Sequence, residues 1–317
     1  MQHEKVLNRL LKEIEQATTS FNQDVPAIQR QLYKKLLMLF KDLELSGDRI
    51  LNSVENIRKI GALKKEISNL ILSDKYLESV DQFKKAFETV TILQRDYFSA
   101  LVGSYKTTGV MRALQRDAIT ATVEALTEAG ITANVTEGIQ AVLRRNITTG
   151  GSFSDLAEEM RSALISSPEK TGMLERYTRT YTVDTLNTYS AIMGNVISDD
   201  LGLEWFMYNG SLKPTSREWC VHMVDKKYIH LSELNTIMTD NVNGAKVCGE
   251  QIPCNRKTKL PRGMKAETTV NNLRDLRGGW ECNHQFNGLS EILVPKEVRI
   301  KTYEANGIKH NDGRKAK

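Results

Sequence analysis

The segment VDQFKKAFETVTILQRDYFSAL, residues 80–101, places apolar side chains at Val80, Phe83, Phe87, Val90, Leu93, Tyr97 and Leu101. Steps of three and four return to one side of a 3.6-residue helix, so the segment reads as an amphipathic helix. The same step recurs upstream, first through Val6, Leu10, Ile14, Ala17 and Phe21, then through Ile28, Leu32, Leu36, Leu39 and Leu43. Breaks near Phe21–Pro26, Leu45–Asp48 and Leu72–Lys75 are short, and short links fold neighbouring helices back on one another as antiparallel hairpins. Ser46 and Asp48 are read as caps around the second break.

Glycine and proline usage supports this reading. Residues 1–102 contain two glycines (Gly47, Gly61) and one proline (Pro26), and the next proline is Pro168. Long helices tolerate that spacing, whereas short strands with tight turns need more punctuation. Two further helical stretches, Val110–Ala129 and Val135–Ile147, flank AGITANVT, which reads as a separator. A glycine–serine turn at 149–154 then feeds a short helix capped by Ser152 or Ser154, with Asp155, Glu158 and Glu159 toward its positive end. Pro168 is expected to open the long helix that carries Tyr177–Leu201.

After Gly202 the texture changes. Leu203-Glu-Trp-Phe-Met-Tyr has strand character, Asn209-Gly210 is a turn signal, and NVNGAKVCGEQIPCNRKTKLPRG, within 235–264, reads as an extended excursion without helical period. The expected fold class is mainly α (α+β): antiparallel helical hairpins over 1–148, a smaller mixed domain over 149–295, and a basic tail over 296–317.

Apolar residues make up 40% and charged residues 26% of the 317, the balance of a globular chain rather than a disordered one. No apolar run approaches the roughly 18 residues that cross a bilayer, and MQHEKVLNRLLKEIEQ lacks a signal peptide's apolar core, so no membrane partner and synthesis in the cytoplasm are expected. Of the net charge of +5, residues 246–277 contribute +5 and 296–317 contribute +4, which leaves −4 for the rest. A basic C-terminal third suits phosphate or an acidic protein surface.

All four cysteines (Cys220, Cys248, Cys254, Cys282) and all three tryptophans (Trp205, Trp219, Trp280) lie between Arg179 and Pro295. In a cytoplasmic setting such cysteines are read as thiols or metal ligands before a disulfide framework. Two Cys-x-His pairs, Cys220/His222 and Cys282/His284, would offer a Cys₂His₂ set for zinc if each lay on an extended segment, where side chains repeat every two residues. On a helix, positions two apart diverge by about 200° and cannot reach one ion. Cys248 and Cys254 would supply either a second half-site or a loop-closing disulfide. GxxxxGK[ST], GxGxxG after a strand, HExxH and GxSxG are all missing from the sequence, and a cysteine nucleophile would need an imidazole that an i+2 neighbour rarely presents.

Taken in order, several pieces resemble the C-terminal domain of MuF-like minor head proteins of tailed bacteriophages. They are the glycine–serine turn with LAEEMRSAL, Arg179-Thr180 opening a helix with Asn187, the LEWFMY strand, Thr215-Ser-Arg-Glu-Trp-Cys, and the terminal Trp280-Glu-Cys-Asn-His. The resemblance covers about Gly150 to Pro295. It marks Arg217, Cys220, Cys282 and His284 as signature positions, with Arg179, Thr180 and Asn187 on the helix beneath them. Lys213-Pro214 and Asp225-Lys226-Lys227 depart from the family's aspartate and glycine at those places.

The resemblance implies a non-enzymatic structural protein of the virion, at the portal vertex or inside the capsid. Its expected partners are portal or capsid proteins, present with multiple copies of this chain and with non-specific contact to packaged DNA. Two rivals stand beside it: a zinc-stabilised nucleic-acid-binding module, and a nuclease or cysteine hydrolase.

Overall fold

The computed structural model describes residues 2–309 of the chain. Helix accounts for 66% of the described residues and the sheets among them are small and antiparallel, so the fold is mainly α with an α+β part. The described residues group into two compact units. One gathers residues 2–12, Thr89–Leu114 and residues 186–309, the other Glu13–Glu88 and Gln115–Thr185. The boundaries fall inside α1 (Gln2–Gln23), α4 (Asp74–Val102), α5 (Gly109–Leu126) and α9 (Met173–Asp200), so packing groups the chain differently from a cut at 148/149.

In the second unit, α2 (Val25–Phe40), α3 (Val54–Ile71), α7 (Glu137–Thr149) and α8 (Phe153–Leu164) bury their stripes in one core that includes Leu32, Leu36, Ile60, Ile67, Leu143, Ile147, Leu156 and Met160. The expected breaks near Phe21–Pro26 and Leu72–Lys75 match the ends of α1 and α3. The middle break is more than a link: β1 (Leu45–Ser46) and β2 (Arg49–Ile50) form a hairpin about Gly47. Ser46 and Asp48 therefore do not cap α3. Ser53 does, accepting from the Asn56 backbone N–H at 3.1 Å. The buried Asn56 amide then ties the hairpin down, donating to the carbonyls of Glu44 and Leu51 and accepting from the Glu44 N–H.

Three other boundaries differ from expectation. AGITANVT is not a separator, because α6 (Glu128–Ile131) and a π-helical stretch, Thr132–Thr136, carry the helix into α7. The break falls at Thr127, whose backbone leaves helical space (φ −119°, ψ −133°). The long helix starts at Met173, not Pro168, since Ser167 and Lys170 exchange backbone hydrogen bonds in a turn. Ser152 caps α8, as the glycine–serine turn suggested.

The first unit holds a three-stranded antiparallel sheet, ordered β4 (Tyr228–His230), β3 (Trp205–Asn209), β7 (Gln285–Leu289). In β3, WFMYN, each of the first four residues is buried, so alternate side chains fill two cores. Phe206 and Tyr208 pack with Trp219, Met223, Ile229 and Phe286. Trp205 meets the His230 ring at a tilt, centroids 5.0 Å apart, and donates its indole N–H to the Tyr303 hydroxyl at 3.1 Å. Tyr303 lies on α13 (Lys296–Ala305), so the start of the expected 296–317 tail is a packed helix, while 310–317 lie outside the described residues. Gly288 admits the helix above β7: a Cβ there would stand 2.2 Å from Ser198 Oγ.

The 235–264 excursion folds back instead of extending. Its start is α11 (Leu234–Thr239), followed by a hairpin of β5 (Asn241–Val242) and β6 (Ala245–Lys246) turned by Asn243-Gly244, both at positive φ. Val242, Val247, Ile252 and Met264 join the core around Phe206 and Tyr208, and a disulfide links Cys248 to Cys254. The loop-closing alternative thus describes this pair, contrary to the general preference for free thiols: a six-residue separation with a Cα–Cα distance of 4.7 Å suits a local bridge.

Candidate metal centre

The site lies in the first unit, between α10 (Glu218–Lys226) and the strand end that enters β7. Arg217 holds the N-cap position of α10 in extended backbone (φ −70°, ψ 147°). The apolar face of that helix buries Trp219, Cys220 and Met223, with the Trp219 indole donating to the Ile237 carbonyl at 2.8 Å. Helical geometry aims Cys220 inward and carries His222 about 200° round the axis. His222 is accordingly half-buried and is not part of the cluster that Cys220 joins, which corrects the four-residue set Cys220, His222, Cys282, His284.

Cys282 and His284 do share one side, since the chain there is extended as it approaches β7. Cys282 Sγ lies 3.9 Å from Cys220 Sγ and 3.7 Å from His284 Nδ1. All three residues are buried, and their candidate ligand atoms lie within 4.8 Å of one another. The i+2 histidine therefore does present its ring to the sulfur.

Tyr208 completes the surroundings. Its hydroxyl donates toward Cys220 Sγ at 3.5 Å and its ring stacks on the His284 ring, centroids 5.6 Å apart and 6° from parallel. A WFMY strand reads as apolar, and only the period-2 alternation would have put the Tyr208 hydroxyl on the cysteine side.

Glycines keep the space open. A Cβ at Gly278 would stand 2.4 Å from Cys220 Sγ and 3.0 Å from Cys282 Sγ, and one at Gly210 would stand 2.7 Å from the His284 ring. Arg277 was also missed from the sequence. Its guanidinium is wholly buried and donates to the carbonyls of Asn187 (2.9 Å) and Asp275 (2.7 Å) and to Thr188 Oγ1. Sequence alone offers only its place before Gly278-Gly279 as a clue.

The two thiols shift in opposite directions. The Cys220 thiol, hydrogen-bonded to Cys282, holds Cys282 well below the ordinary thiol range, with His284 and the Arg277 charge acting in the same direction. Cys220 is pushed up, first by that same hydrogen bond and then by burial. Burial, followed by the nearby sulfurs, raises Tyr208 well above the usual phenol value.

Among the resemblance-marked residues, Arg217 donates to the Trp280 carbonyl, and its side chain packs over Gly263, where a Cβ would stand 1.9 Å from Nε. Trp280 is 52% exposed, with Lys265 Nζ 4.1 Å from its ring centroid. Asn187 is buried, its amide nitrogen 3.5 Å from Asn283 Oδ1. Arg179, exposed, and Thr180, half-buried, lie on the stretch of α9 that belongs to the second unit.

A pocket of about 180 Å³ opens beside the cluster, lined by Cys220, Cys282 and His284 together with Ser211, Lys213 and Arg217. Two sulfurs and an imidazole at these distances can bind a soft cation, and a thiolate beside an imidazole is also the pairing that nucleophilic cysteines use. No helix among the described residues is long and apolar enough to cross a membrane. No family model, curated protein or solved structure matches the chain.

Proposed function

We propose that this chain is a non-enzymatic minor head protein of a tailed bacteriophage, of the MuF-like type, acting in head assembly, genome packaging or ejection. One observation carries the reading. Of the positions that the resemblance marks, Cys220 meets Cys282 and His284, 62 and 64 positions further on, in one buried cluster, with Arg217 lining the pocket beside it and Asn187 nearby in the same unit. A scattered set drawn together is what a shared fold would require, and a chance likeness of short motifs would not.

In this reading the helices provide the surface that docks on portal or capsid protein. The basic C-terminal third tolerates packaged DNA through phosphate attraction without reading bases. The test is quantitative mass spectrometry of gradient-purified particles from the phage or prophage that encodes the chain, comparing DNA-filled with empty heads. A fixed ratio of this chain to the portal is expected. Absence from both particle types would refute the assignment, as would infectious, DNA-filled heads from a deletion mutant.

A further inference from the structure

We propose that Cys220, Cys282 and His284 bind one zinc ion, through two thiolates and one imidazole nitrogen, with solvent from the adjoining pocket as the fourth ligand. The spacing of the three side chains carries the assignment. Zinc–sulfur bonds of about 2.3 Å and zinc–nitrogen bonds of about 2.0–2.1 Å, opened to the tetrahedral angle, set sulfur–sulfur and sulfur–nitrogen edges of roughly 3.8 and 3.6 Å. The Cys220–Cys282 and Cys282–His284 separations here are 3.9 and 3.7 Å, and the third pair of ligand atoms lies within 4.8 Å, so an ion needs at most a small closing of the Cys220–His284 edge.

Three further features point the same way. The His284 ring is poorly satisfied for a structural histidine: Nε2 is buried with no hydrogen-bond partner among the described residues, and Nδ1 faces a sulfur. A metal bond to Nδ1 would give the ring a strong partner where it otherwise meets only a sulfur. Gly278 leaves the side of the two sulfurs free of any side chain, where a Cβ would come within 2.4 Å. The Tyr208 hydroxyl is placed to donate to thiolate sulfur, the outer support that sulfur ligands commonly receive.

The donor set selects the metal. Two thiolates and an imidazole suit zinc and exclude magnesium and calcium, which take oxygen. Cys248 and Cys254 are tied to each other and supply no ligand. All three ligand residues line the pocket, so the remaining vertex is reached from the side of Ser211, Lys213 and Ser216. The ion would fasten α10 to the strand end of β7, contacts that the unfolded chain lacks, so binding adds to folding stability.

The test is zinc content of the purified full-length chain by elemental mass spectrometry, with C248S/C254S as a parallel background free of the second cysteine pair. One zinc per chain is expected in both, lost in Cys282→Ser and His284→Gln. Exchange for cobalt(II) should give the intense visible bands of four-coordinate metal with thiolate charge transfer. Should Cys282→Ser fail to fold, the wild-type result stands by itself. No zinc after incubation with the ion under reducing conditions would overturn the proposal. So would one zinc that persists in folded His284→Gln with an unchanged cobalt spectrum, or a Cys220–Cys282 disulfide in the protein as isolated.

Discussion

Replacing Gly278 by alanine adds one methyl group beside the two sulfurs of the site. The new carbon would stand 2.4 Å from Cys220 Sγ and 3.0 Å from Cys282 Sγ. Non-bonded carbon contacts settle at about 3.5–4.0 Å and sulfur is larger, so the shortfall against Cys220 exceeds about 1 Å. Neither sulfur is the free end of a flexible chain: Cys220 is fixed on α10 beside Trp219, and Cys282 lies against His284. The strain must go into the backbone or the sulfur separation, and overpacking of this kind costs about 1–3 kcal/mol. At roughly 2–4 °C per kcal/mol for a unit of this size, a mid-range cost of about 2 kcal/mol lowers the melting temperature by roughly 4–8 °C. Gly61→Ala is the matched control, since that glycine lies within α3 with nothing within 4 Å of the added carbon. There alanine should stabilise by about 0.5–1 kcal/mol through helix propensity alone. Thermal and urea unfolding followed by circular dichroism, with thiol reactivity of Cys220 and Cys282 in the native state, measure both. A Gly278→Ala protein that melts no lower than wild type, with its buried thiols still shielded, would refute this reasoning.

Asn56→Ala removes an amide that serves three backbone groups of the β1–β2 hairpin, and a loss of about 2–4 kcal/mol in urea unfolding is expected from the groups left unpaired. Cutting the disulfide with Cys248→Ser/Cys254→Ser releases a short loop and should cost about 2 kcal/mol by chain entropy, read as a lower urea midpoint. Burial pushes the Tyr177 and Tyr189 phenols up to about 12. In the unfolded chain they ionise near 10, so their contribution is complete below about pH 10 and is lost as pH rises toward 12. Urea stability should therefore fall between pH 10 and 12, and the fall should shrink in Tyr189→Phe.

The helical half was legible because burial leaves a periodic trace: each stripe from Val80 to Leu101, and those upstream, reports one covered face. Periodicity does not name the element that covers it, and so the two interleaved units were not visible in the stripes. Punctuation was misread where a residue's conformation depends on its neighbours. Ile131 and Val135 stay buried across AGITANVT, so packing holds a helix where glycine and β-branched residues suggested a break. Val242, Val247 and Ile252 are too widely spaced by turns to show a period, yet they close over a core already defined by Phe206. At the site, Cys282 and His284 paired as an extended segment predicts, and His222 was lost because Arg217 begins a helix. Tyr208 and Gly278 were hidden for opposite reasons: one has a polar atom inside an apolar-looking strand, and the other contributes only the absence of a side chain.

That absence changes how kin of this chain should be sought. Gly210, Gly263, Gly278 and Gly279 each leave room that the cysteines, the histidine, Arg217 or the opposing backbone occupies, so substitution there is penalised by volume, whatever ligand the site takes. A query written as Tyr-x-Gly, then Arg-x-x-Cys, then Gly-Gly-x-x-Cys-x-His, with the intervening lengths left open, would find distant cousins by the voids they share.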